Sequence, residues 1–232
     1  MSVLYTLVLL RHGQSQWNLE NRFTGWTEVD LTGKGRQEAR QAGELLRAAG
    51  LRFDLAYTSM QQRSMESLAL ALEALQQPAI PVETAWQLNE RHYGALQGLN
   101  KAETARRLGA SRVMAWRRSY TARPPALEFD DYRHPRFDPR YAGLPPESLP
   151  RAESLQDTVA RLLPYWRSAI VPAIQNGQRV LVVAHGNSLR ALVKYLEDLP
   201  EAQIPGLEVP TGLPWVYKLD IDLHPKARYT LK

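Results

Sequence analysis

The chain has 232 residues, 44% of them hydrophobic and 23% charged, a composition that indicates a globular protein with a sizeable core and excludes general disorder. It contains no cysteine, which excludes disulfides, thiolate nucleophiles and cysteine-ligated metals. The net charge of +5 would suit an anionic substrate or nucleic acid, but the arginines form no basic run or helical stripe, so we expect no nucleic-acid partner.

Short apolar runs alternate with helical periodicity along the chain. The first ten residues show neither a basic leader nor an apolar stretch long enough to span a bilayer, so we expect a cytoplasmic protein that does not bind membranes. In chain order the sequence predicts strands at 4–10, 53–57, 179–184, 215–219 and 228–231, and helices at 32–50, 60–75 and 188–197. This alternation of strand and helix favours a parallel sheet.

Proline marks the irregular parts of the chain. Seven of the sixteen prolines lie in residues 123–150, which predicts an extended excursion without regular structure. Such a segment is either a functional loop or a surface embellishment, and the residues alone do not decide between the two. Pro164 and Pro172 interrupt the apolar segment 155–174 and predict a kinked or split helix there.

Two of the predicted strands, far apart in the chain, each end in a His-Gly pair. His12-Gly13 follows the first strand, and His185-Gly186 follows the strand at 179–184. In an open parallel sheet, ligands bind outside the carboxyl ends of the strands, so we expect both histidines at the functional edge, where glycine permits close approach of the backbone. One such histidine would more often be structural, but two in equivalent places indicate a catalytic site.

The arginine that precedes His12 indicates which chemistry this would be. Histidine can act as a nucleophile or move protons, and the guanidinium group of Arg11 can bind phosphate oxygens in a bidentate manner. The implied electrophile is a phosphoryl group, whose transfer depends mainly on positioning and cationic stabilisation. Because neighbouring arginines disfavour a further cation, we expect unphosphorylated His12 to be neutral at working pH.

These residues resemble the histidine phosphatase superfamily and, within it, the cofactor-dependent phosphoglycerate mutases. The resemblance is carried by RHGQSQWNLENRFTGW at 11–26, LNERHYGALQGLNKAET at 88–104, AWRR at 115–118, AHGNSLRALVKYL at 184–196 and PTG at 210–212. The RHG triplet alone would be weak, whereas NERHYGALQGLNK is specific to the mutase branch. The resemblance implies one domain over 1–232 with a three-layer αβα fold, a mostly parallel sheet, and a loop and helix insertion at about 91–150 that acts as a lid.

The resemblance also implies roles for individual residues. His12 would become phosphorylated, Arg11, Arg63 and His185 would surround the transferring group, and Glu90 would be the general acid and base. The substrate would be bound by Ser15, Asn18, Thr24, Gly25, Tyr93, Lys101, Arg117, Arg118, Gly186 and Asn187. The implied reaction interconverts 3-phosphoglycerate and 2-phosphoglycerate, with 2,3-bisphosphoglycerate as the priming cofactor and no metal. Relatives of this kind are commonly homodimers or homotetramers, and we expect the same here.

Without the resemblance, plainer interpretations of these residues stay open. Glu90 could be an exposed acid paired with Arg91, and Arg117 with Arg118 could be an ordinary solvated pair. Adjacent helical positions point in different directions, so both arginines can contact one ligand only at a helix end or turn. We interpret His92 as structural.

The chain departs from the family pattern at Gln14, where relatives usually carry glutamate, and at Gln62, where many carry lysine. We expect only quantitative effects from either. Many relatives also continue beyond the last strand into a mobile tail that covers the active site, whereas this sequence ends at Lys232. We therefore expect the insertion to provide the lid in this chain. Two rival functions remain: a broad-specificity phosphatase that transfers the phosphoryl group to water, and a non-catalytic basic module that binds nucleic acid or phosphorylated ligands.

Overall fold

A computed structural model of the chain describes residues 4–232, so the first three residues of the segment in which we expected no leader lie outside it. The strands are β1 (Tyr5–Arg11), β2 (Leu55–Thr58), β3 (Val82–Thr84), β4 (Val180–Ala184), β5 (Trp215–Leu219) and β6 (Pro225–Thr230). The helices are α1 (Gln16–Leu19), α2 (Gly33–Ala48), α3 (Gln62–Leu75), α4 (Lys101–Leu108), α5 (Ala110–Arg118), α6 (Leu155–Tyr165), α7 (Val171–Gln175) and α8 (Gly186–Leu196). Every predicted strand and helix is present, with ends that differ by a few residues.

The strands form one mostly parallel sheet in the order β3-β2-β4-β1-β5-β6. β4 runs parallel to both of its neighbours, with Ala184 opposite Arg11 of β1 and Val183 opposite Thr58 of β2. Only the β1–β5 and β5–β6 pairings among the described strands are antiparallel. Because parallel strands end at the same edge of a sheet, the segments that follow β1, β2 and β4 emerge side by side.

Side chains that alternate along the strands fill two separate cores. In β1, Leu7 and Leu9 pack in the core that α6, α7 and α8 cover, whereas Val8 and Leu10 pack beneath α2 and α3. β4 is buried at all of its positions, which explains why its sequence is apolar throughout instead of alternating. The layers are therefore helix, sheet and helix, and the predicted α/β fold is confirmed.

Local signals in the sequence determine where α2 begins and ends. The hydroxyl of Thr32 accepts a hydrogen bond from the backbone N–H of Gly35 at 3.0 Å, which caps the first turn. After the helix, Gly50 takes a left-handed conformation with φ of 66°, which a residue with a Cβ adopts at a cost.

The predicted interruption of the helix at 155–174 takes the form of a widened turn. Between α6 and α7 the chain makes a π-helical turn at Trp166–Ile170. Pro172 follows it in the first turn of α7 and has no backbone N–H to donate, so it cannot join the regular hydrogen-bond pattern of the helix before it.

Four short elements were not predicted from the sequence. β3 is an edge strand whose side chains are all exposed, so it has no apolar pattern. α1 is a single turn, and α4 and α5 fully bury only Thr104 and Val113, which leaves their periodicity weak. Within residues 4–232, no helix is both long enough and apolar enough to cross a membrane.

Candidate active site

The two strand-end histidines meet at the carboxyl edge of the sheet. β1 and β4 are neighbours, and the backbone N–H of His12 donates to the carbonyl of Ala184 at 3.0 Å. The imidazole rings of His12 and His185 have centroids 4.9 Å apart and are inclined at 62°. Both side chains are almost completely buried. The two histidines therefore share one site.

Close packing explains the glycine after each histidine. A Cβ at Gly13 would lie 2.0 Å from the carbonyl oxygen of Gly35 in the first turn of α2, so only glycine fits there. A Cβ at Gly186 would lie 3.3 Å from the guanidinium carbon of Arg11. The Arg11 side chain thus lies against the first residue of α8.

Hydrogen bonding decides which nitrogen of His12 can react. Nδ1 lies 2.6 Å from the carbonyl oxygen of Gly13, and because a carbonyl only accepts, Nδ1 carries the proton. Nε2 then keeps a free lone pair. Burial, followed by the positive charges of Arg63 and Arg11, holds the pKa of His12 well below its usual value of 6.5. Both influences favour the neutral imidazole that we expected, and they leave Nε2 as the nitrogen with a free lone pair.

His185 has one buried ring nitrogen without a hydrogen-bond partner among the described residues. Its Nε2 lies 2.7 Å from the hydroxyl of Ser59, and its buried Nδ1 has no hydrogen-bond partner among residues 4–232. Burial, followed by the charge of Arg63, holds the pKa of His185 well below its usual value, so the ring is neutral and carries one proton. If Ser59 donates to Nε2, that proton is on Nδ1, where it is free to meet a phosphoryl oxygen.

Two arginines bring positive charge to the histidines: Arg63 is buried, and Arg11 is partly buried. Arg11 donates to the carbonyl of Val209 at 2.9 Å, while its Nε has no acceptor within the part of the chain that the structure describes. Arg63, in the first turn of α3, donates to the carbonyls of Gly25 and Thr27 at 2.8 and 3.0 Å. Burial lowers the pKa of both guanidinium groups, but arginine remains charged at neutral pH. Desolvated cations beside neutral imidazoles make a binding place for an anion.

Glu90 reaches the same site from an irregular segment. Its Oε1 accepts hydrogen bonds from the backbone N–H groups of Arg91 at 2.8 Å and of Asn187, near the start of α8, at 3.1 Å. The guanidinium group of Arg91 instead donates to the hydroxyl of Tyr93 and the carbonyl of Arg117. The plainer interpretation of an exposed Glu90–Arg91 ion pair is therefore wrong, since Glu90 is only 8% exposed and its carboxylate is held by backbone groups.

A cavity of about 210 Å³ lies at this edge of the sheet. The predicted site residues that line it are Arg11, Asn18, Thr24, Gly25, Glu90, Tyr93, Lys101, Arg117, Arg118, Gly186 and Asn187. His12, Arg63 and His185 are buried behind its surface. Ser15 does not line the cavity either, because its hydroxyl accepts from the backbone N–H of Asn18 and caps α1.

Lys101, Arg117 and Arg118 give the cavity a cationic wall. Lys101 is the first residue of α4, and the two arginines are the last residues of α5, which is the helix end that a shared ligand requires. Burial, followed by the charge of Arg117, lowers the pKa of Lys101. Arg118 pairs with the carboxylate of Glu208 at 2.7 Å. Arg117 and Arg118 thus lie together in the cavity lining, and their binding of one ligand stays a prediction.

The sequence predictions missed four of the residues that line the cavity, which are Arg190, Glu208, Val209 and Pro210. Arg190 donates to Oδ1 of Asn187 at 2.9 Å, which orients the amide so that its nitrogen lies 3.3 Å from the hydroxyl of Tyr93. Its position one helical turn after Gly186, on the same face of α8, was the signal available. Glu208 belongs to no recognisable pattern.

The proline-rich segment 123–150 braces the site without lining the cavity. It contains short 3₁₀ turns, as expected of an extended excursion. The hydroxyl of Tyr141 accepts from the side-chain amide of Asn89 at 2.9 Å, and its ring lies 4.8 Å from that of Trp26. The part of the insertion that lines the cavity is 91–118. The segment 123–150 is thus more than a surface embellishment, and movement of the insertion as a lid remains a prediction.

The two departures from the family pattern lie outside the cavity lining. The side-chain carbonyl of Gln14 accepts from the hydroxyl of Thr32 at 3.0 Å, so it contributes to the start of α2. Gln62 is exposed on the first turn of α3. We still predict that Gln14 and Gln62 have only quantitative effects on the reaction.

Together, the sheet, the buried histidine pair and the cationic cavity define a class of phosphoryl-transfer enzyme. The model of the histidine phosphatase superfamily, branch 1, matches the chain over residues 7–136 and 128–223, which together include His12, Arg63, Glu90 and His185. The chain belongs to the histidine phosphatase superfamily.

Solved structures with the same fold include several phosphatases. A mycobacterial hydrolase is 24% identical over 98% of this chain and 97% of its own, with a TM-score of 0.74. A mycobacterial glucosyl-3-phosphoglycerate phosphatase in complex with VO3 is 26% identical over 92% of each chain, with a TM-score of 0.70. The α-ribazole phosphatase from Shigella flexneri is 22% identical over 93% of this chain and 91% of its own, with a TM-score of 0.67. These similarities confirm the fold.

Proposed function

We propose that the protein is a 2,3-bisphosphoglycerate-dependent phosphoglycerate mutase that interconverts 3-phosphoglycerate and 2-phosphoglycerate. The observation that carries this proposal is the cationic wall: besides Arg11, the cavity is lined by Lys101, Arg117 and Arg118. A single transferring phosphoryl group is served by Arg11 and Arg63, whereas a substrate with a carboxylate and a second phosphate needs further cations.

In this reaction, Nε2 of His12 attacks phosphorus while the ester P–O bond breaks and its electron pair leaves on the ester oxygen. Arg11, Arg63 and Nδ1–H of His185 stabilise the charge that spreads over the phosphoryl oxygens. Glu90 gives its proton to the leaving oxygen and, in the reverse direction, removes the proton of the accepting hydroxyl. The phosphoryl group is thereby held on His12 between the two half-reactions.

The same lining residues fit the proposed cofactor. Five cationic side chains and two carboxylates line the cavity, an excess of positive charge that matches a polyanion. Bound there, 2,3-bisphosphoglycerate supplies the first phosphoryl group to His12. Ser15, Asn18, Thr24, Gly25, Tyr93, Gly186 and Asn187 complete the proposed substrate site, either by hydrogen bonds or, for Ser15, by orienting Asn18. We further propose that the reaction needs no metal and that the protein is a cytoplasmic homodimer or homotetramer.

A phosphatase with the same His12 chemistry is the second candidate. It is favoured by the similar solved structures that are named as phosphatases, one of them a glucosyl-3-phosphoglycerate phosphatase. The two functions differ in the acceptor, which is water for the phosphatase and the hydroxyl of a phosphoglycerate for the mutase. The wall of Lys101, Arg117 and Arg118 favours the mutase because it offers binding to the acceptor's own anionic groups.

The test is to incubate the pure protein with 3-phosphoglycerate and a trace of 2,3-bisphosphoglycerate in excess chelator. We expect 2-phosphoglycerate to form much faster than inorganic phosphate is released. Phosphate release that outpaces isomerisation would establish the phosphatase instead. Activity that strictly requires manganese would contradict both proposals.

A further inference from the structure

Glu90 stands on a segment that has little structure of its own. β3 ends at Thr84, one 3₁₀ turn follows at Trp86–Leu88, and the backbone then continues without a helix or strand through Arg91. Carbonyl groups in such a segment have no regular hydrogen-bond pattern to satisfy them. The position of the Glu90 carboxyl must therefore be set by other parts of the molecule.

Arg161, in the last part of α6, supplies hydrogen bonds to this segment. Its Nη1 donates to the carbonyl of Gln87 at 2.5 Å, and its Nη2 donates to the carbonyls of Asn89 and Glu90 at 2.9 and 3.0 Å. A planar guanidinium group can join several acceptors in one fixed geometry. One side chain thus holds the backbone on both sides of the peptide bond that leads into Glu90.

Glu153 completes the arrangement from the residue before the cap of α6. Its Oε1 accepts from Nε of Arg161 at 2.6 Å, and its Oε2 accepts from the backbone N–H of His92 at 2.8 Å. The pair is nearly inaccessible, with side chains 8% and 4% exposed. Taking two charges out of water is costly, and such pairs add little stability compared with apolar residues of the same size. Stability alone therefore does not account for this ion pair.

We propose that Arg161 and Glu153 are positioning residues that hold Glu90 where its carboxyl can exchange a proton with the ester oxygen of the substrate. The proposal rests on the proposed function in one respect, the role of Glu90 as general acid and base, which the mutase and the phosphatase would share. Neither residue lines the cavity, so their effect is exerted through the backbone of residues 87–92.

Other contacts hold Glu90 itself and make a graded effect expected. Its carbonyl also accepts from the indole N–H of Trp26 at 2.6 Å, and its N–H donates to Oε1 of Gln61 at 2.8 Å. Without Arg161 the segment would keep these anchors but lose the ones at Gln87 and Asn89. We therefore expect the carboxyl of Glu90 to be displaced. A displacement of about 1 Å at a reacting group can lower the rate about 100-fold.

The leaving group separates this role from general damage to the site. Phosphorylation of His12 by 2,3-bisphosphoglycerate expels an alkoxide, which needs a proton from Glu90 as the P–O bond breaks. Phosphorylation by p-nitrophenyl phosphate expels a stable phenolate, which needs none. A variant that misplaces only Glu90 should lose the first reaction and keep the second, whereas a distorted phosphoryl pocket would lose both.

The test compares the two donors in single-turnover phosphorylation of the full chain, followed by mass spectrometry. The main variant is Arg161→Met with Glu153→Gln, which leaves no unpaired buried charge and keeps an acceptor for the N–H of His92. We expect phosphorylation by 2,3-bisphosphoglycerate to slow by about 10- to 100-fold and phosphorylation by p-nitrophenyl phosphate to change by less than about threefold. Arg161→Lys, which keeps the charge without the planar fork, should show a smaller but similar loss.

The control is Arg123→Gln. This exposed arginine pairs with Asp157 of α6, the helix that carries Arg161, and makes no hydrogen bond to residues 87–92. It should leave both rates unchanged. Equal slowing with both donors, or no slowing with either, in Arg161→Met/Glu153→Gln would overturn the positioning role. If the unsubstituted protein phosphorylates His12 from neither donor, the proposed function fails first, so the two failures are distinguishable.

Discussion

The two parts of the candidate site are built in different ways. The phosphoryl centre, with Arg11, His12 and His185, lies at the ends of two adjacent parallel strands, and Arg63 joins it from the first turn of a core helix. The wall that would select the substrate comes from the insertion at 91–118, whose two short helices, α4 and α5, each bury a single residue. If the proposed function is right, the residues that react are fixed by the sheet, whereas the residues that recognise the substrate belong to an inserted segment outside the two main cores.

Replacing His12, the proposed nucleophile of the phosphoryl centre, should have the largest effect. We expect His12→Ala to abolish phosphorylation and to lower turnover by about 10⁴-fold or more, since loss of a catalytic nucleophile has effects of this size. Phosphate on a histidine-containing peptide after exposure to 2,3-bisphosphoglycerate, detected by mass spectrometry, is the measurement. His224→Ala is the control because that histidine is exposed and outside the site. Phosphate retained on His12→Ala at another histidine would contradict the assignment.

The difference in construction also explains how far the sequence could predict the site. The apolar runs of β1 and β4 can be recognised as strands from the sequence. Once both strands are placed in a parallel sheet, His12 and His185 must lie at the same edge. The expectation of a neutral His12 came from its arginine neighbours, and burial and these nearby cations both lower its pKa.

The cationic wall of the cavity could not be predicted from the pattern of strands and helices. No periodicity links Glu90 to Lys101 or to Arg118, and only the family resemblance assigned them to one ligand. Arg161 shows the limit most clearly, because its partners are backbone carbonyls more than 70 residues earlier in the chain. Because every residue carries a backbone carbonyl, no pattern of side chains predicts such a contact.

Removing a cation from the wall should affect substrate binding and not phosphoryl transfer. We expect Lys101→Met to raise the KM for 3-phosphoglycerate by about 10- to 100-fold, the value of one hydrogen bond to a charged group, with little change in phosphorylation by p-nitrophenyl phosphate. Steady-state kinetics with both substrates provides the measurement. Lys226→Met serves as the control because this lysine lies in β6 and pairs with Asp220. An equal loss with both substrates would place Lys101 in the phosphoryl centre instead.

Both the phosphoryl centre and the insertion contain buried histidines. The effect of their protonation on stability should be the smallest of the predicted effects. Burial, followed by the charge of His134, lowers the pKa of His92 in the insertion to about 3, while the pKa values of His12 and His185 are also held well below normal. Because the unfolded chain binds these protons near pH 6.5 and the folded chain does not, stability is fully present above that pH. It falls as the pH drops below it, by up to about 1.4 kcal/mol per pH unit for each such histidine.

Replacing one of them should remove its share of this dependence. In His92→Asn, the side-chain carbonyl can still accept the N–H of Gly94, as Nδ1 of His92 does at 3.0 Å, but no imidazole is left to protonate on unfolding. Between pH 6.5 and 5.5 we expect the loss of unfolding free energy, measured in urea, to be about 1 kcal/mol smaller than in the unsubstituted protein. The same substitution at the exposed His224 is the control for replacing a histidine as such. An unchanged slope in His92→Asn would mean that His92 takes up its proton without unfolding, because the insertion opens locally to water while the sheet edge stays closed.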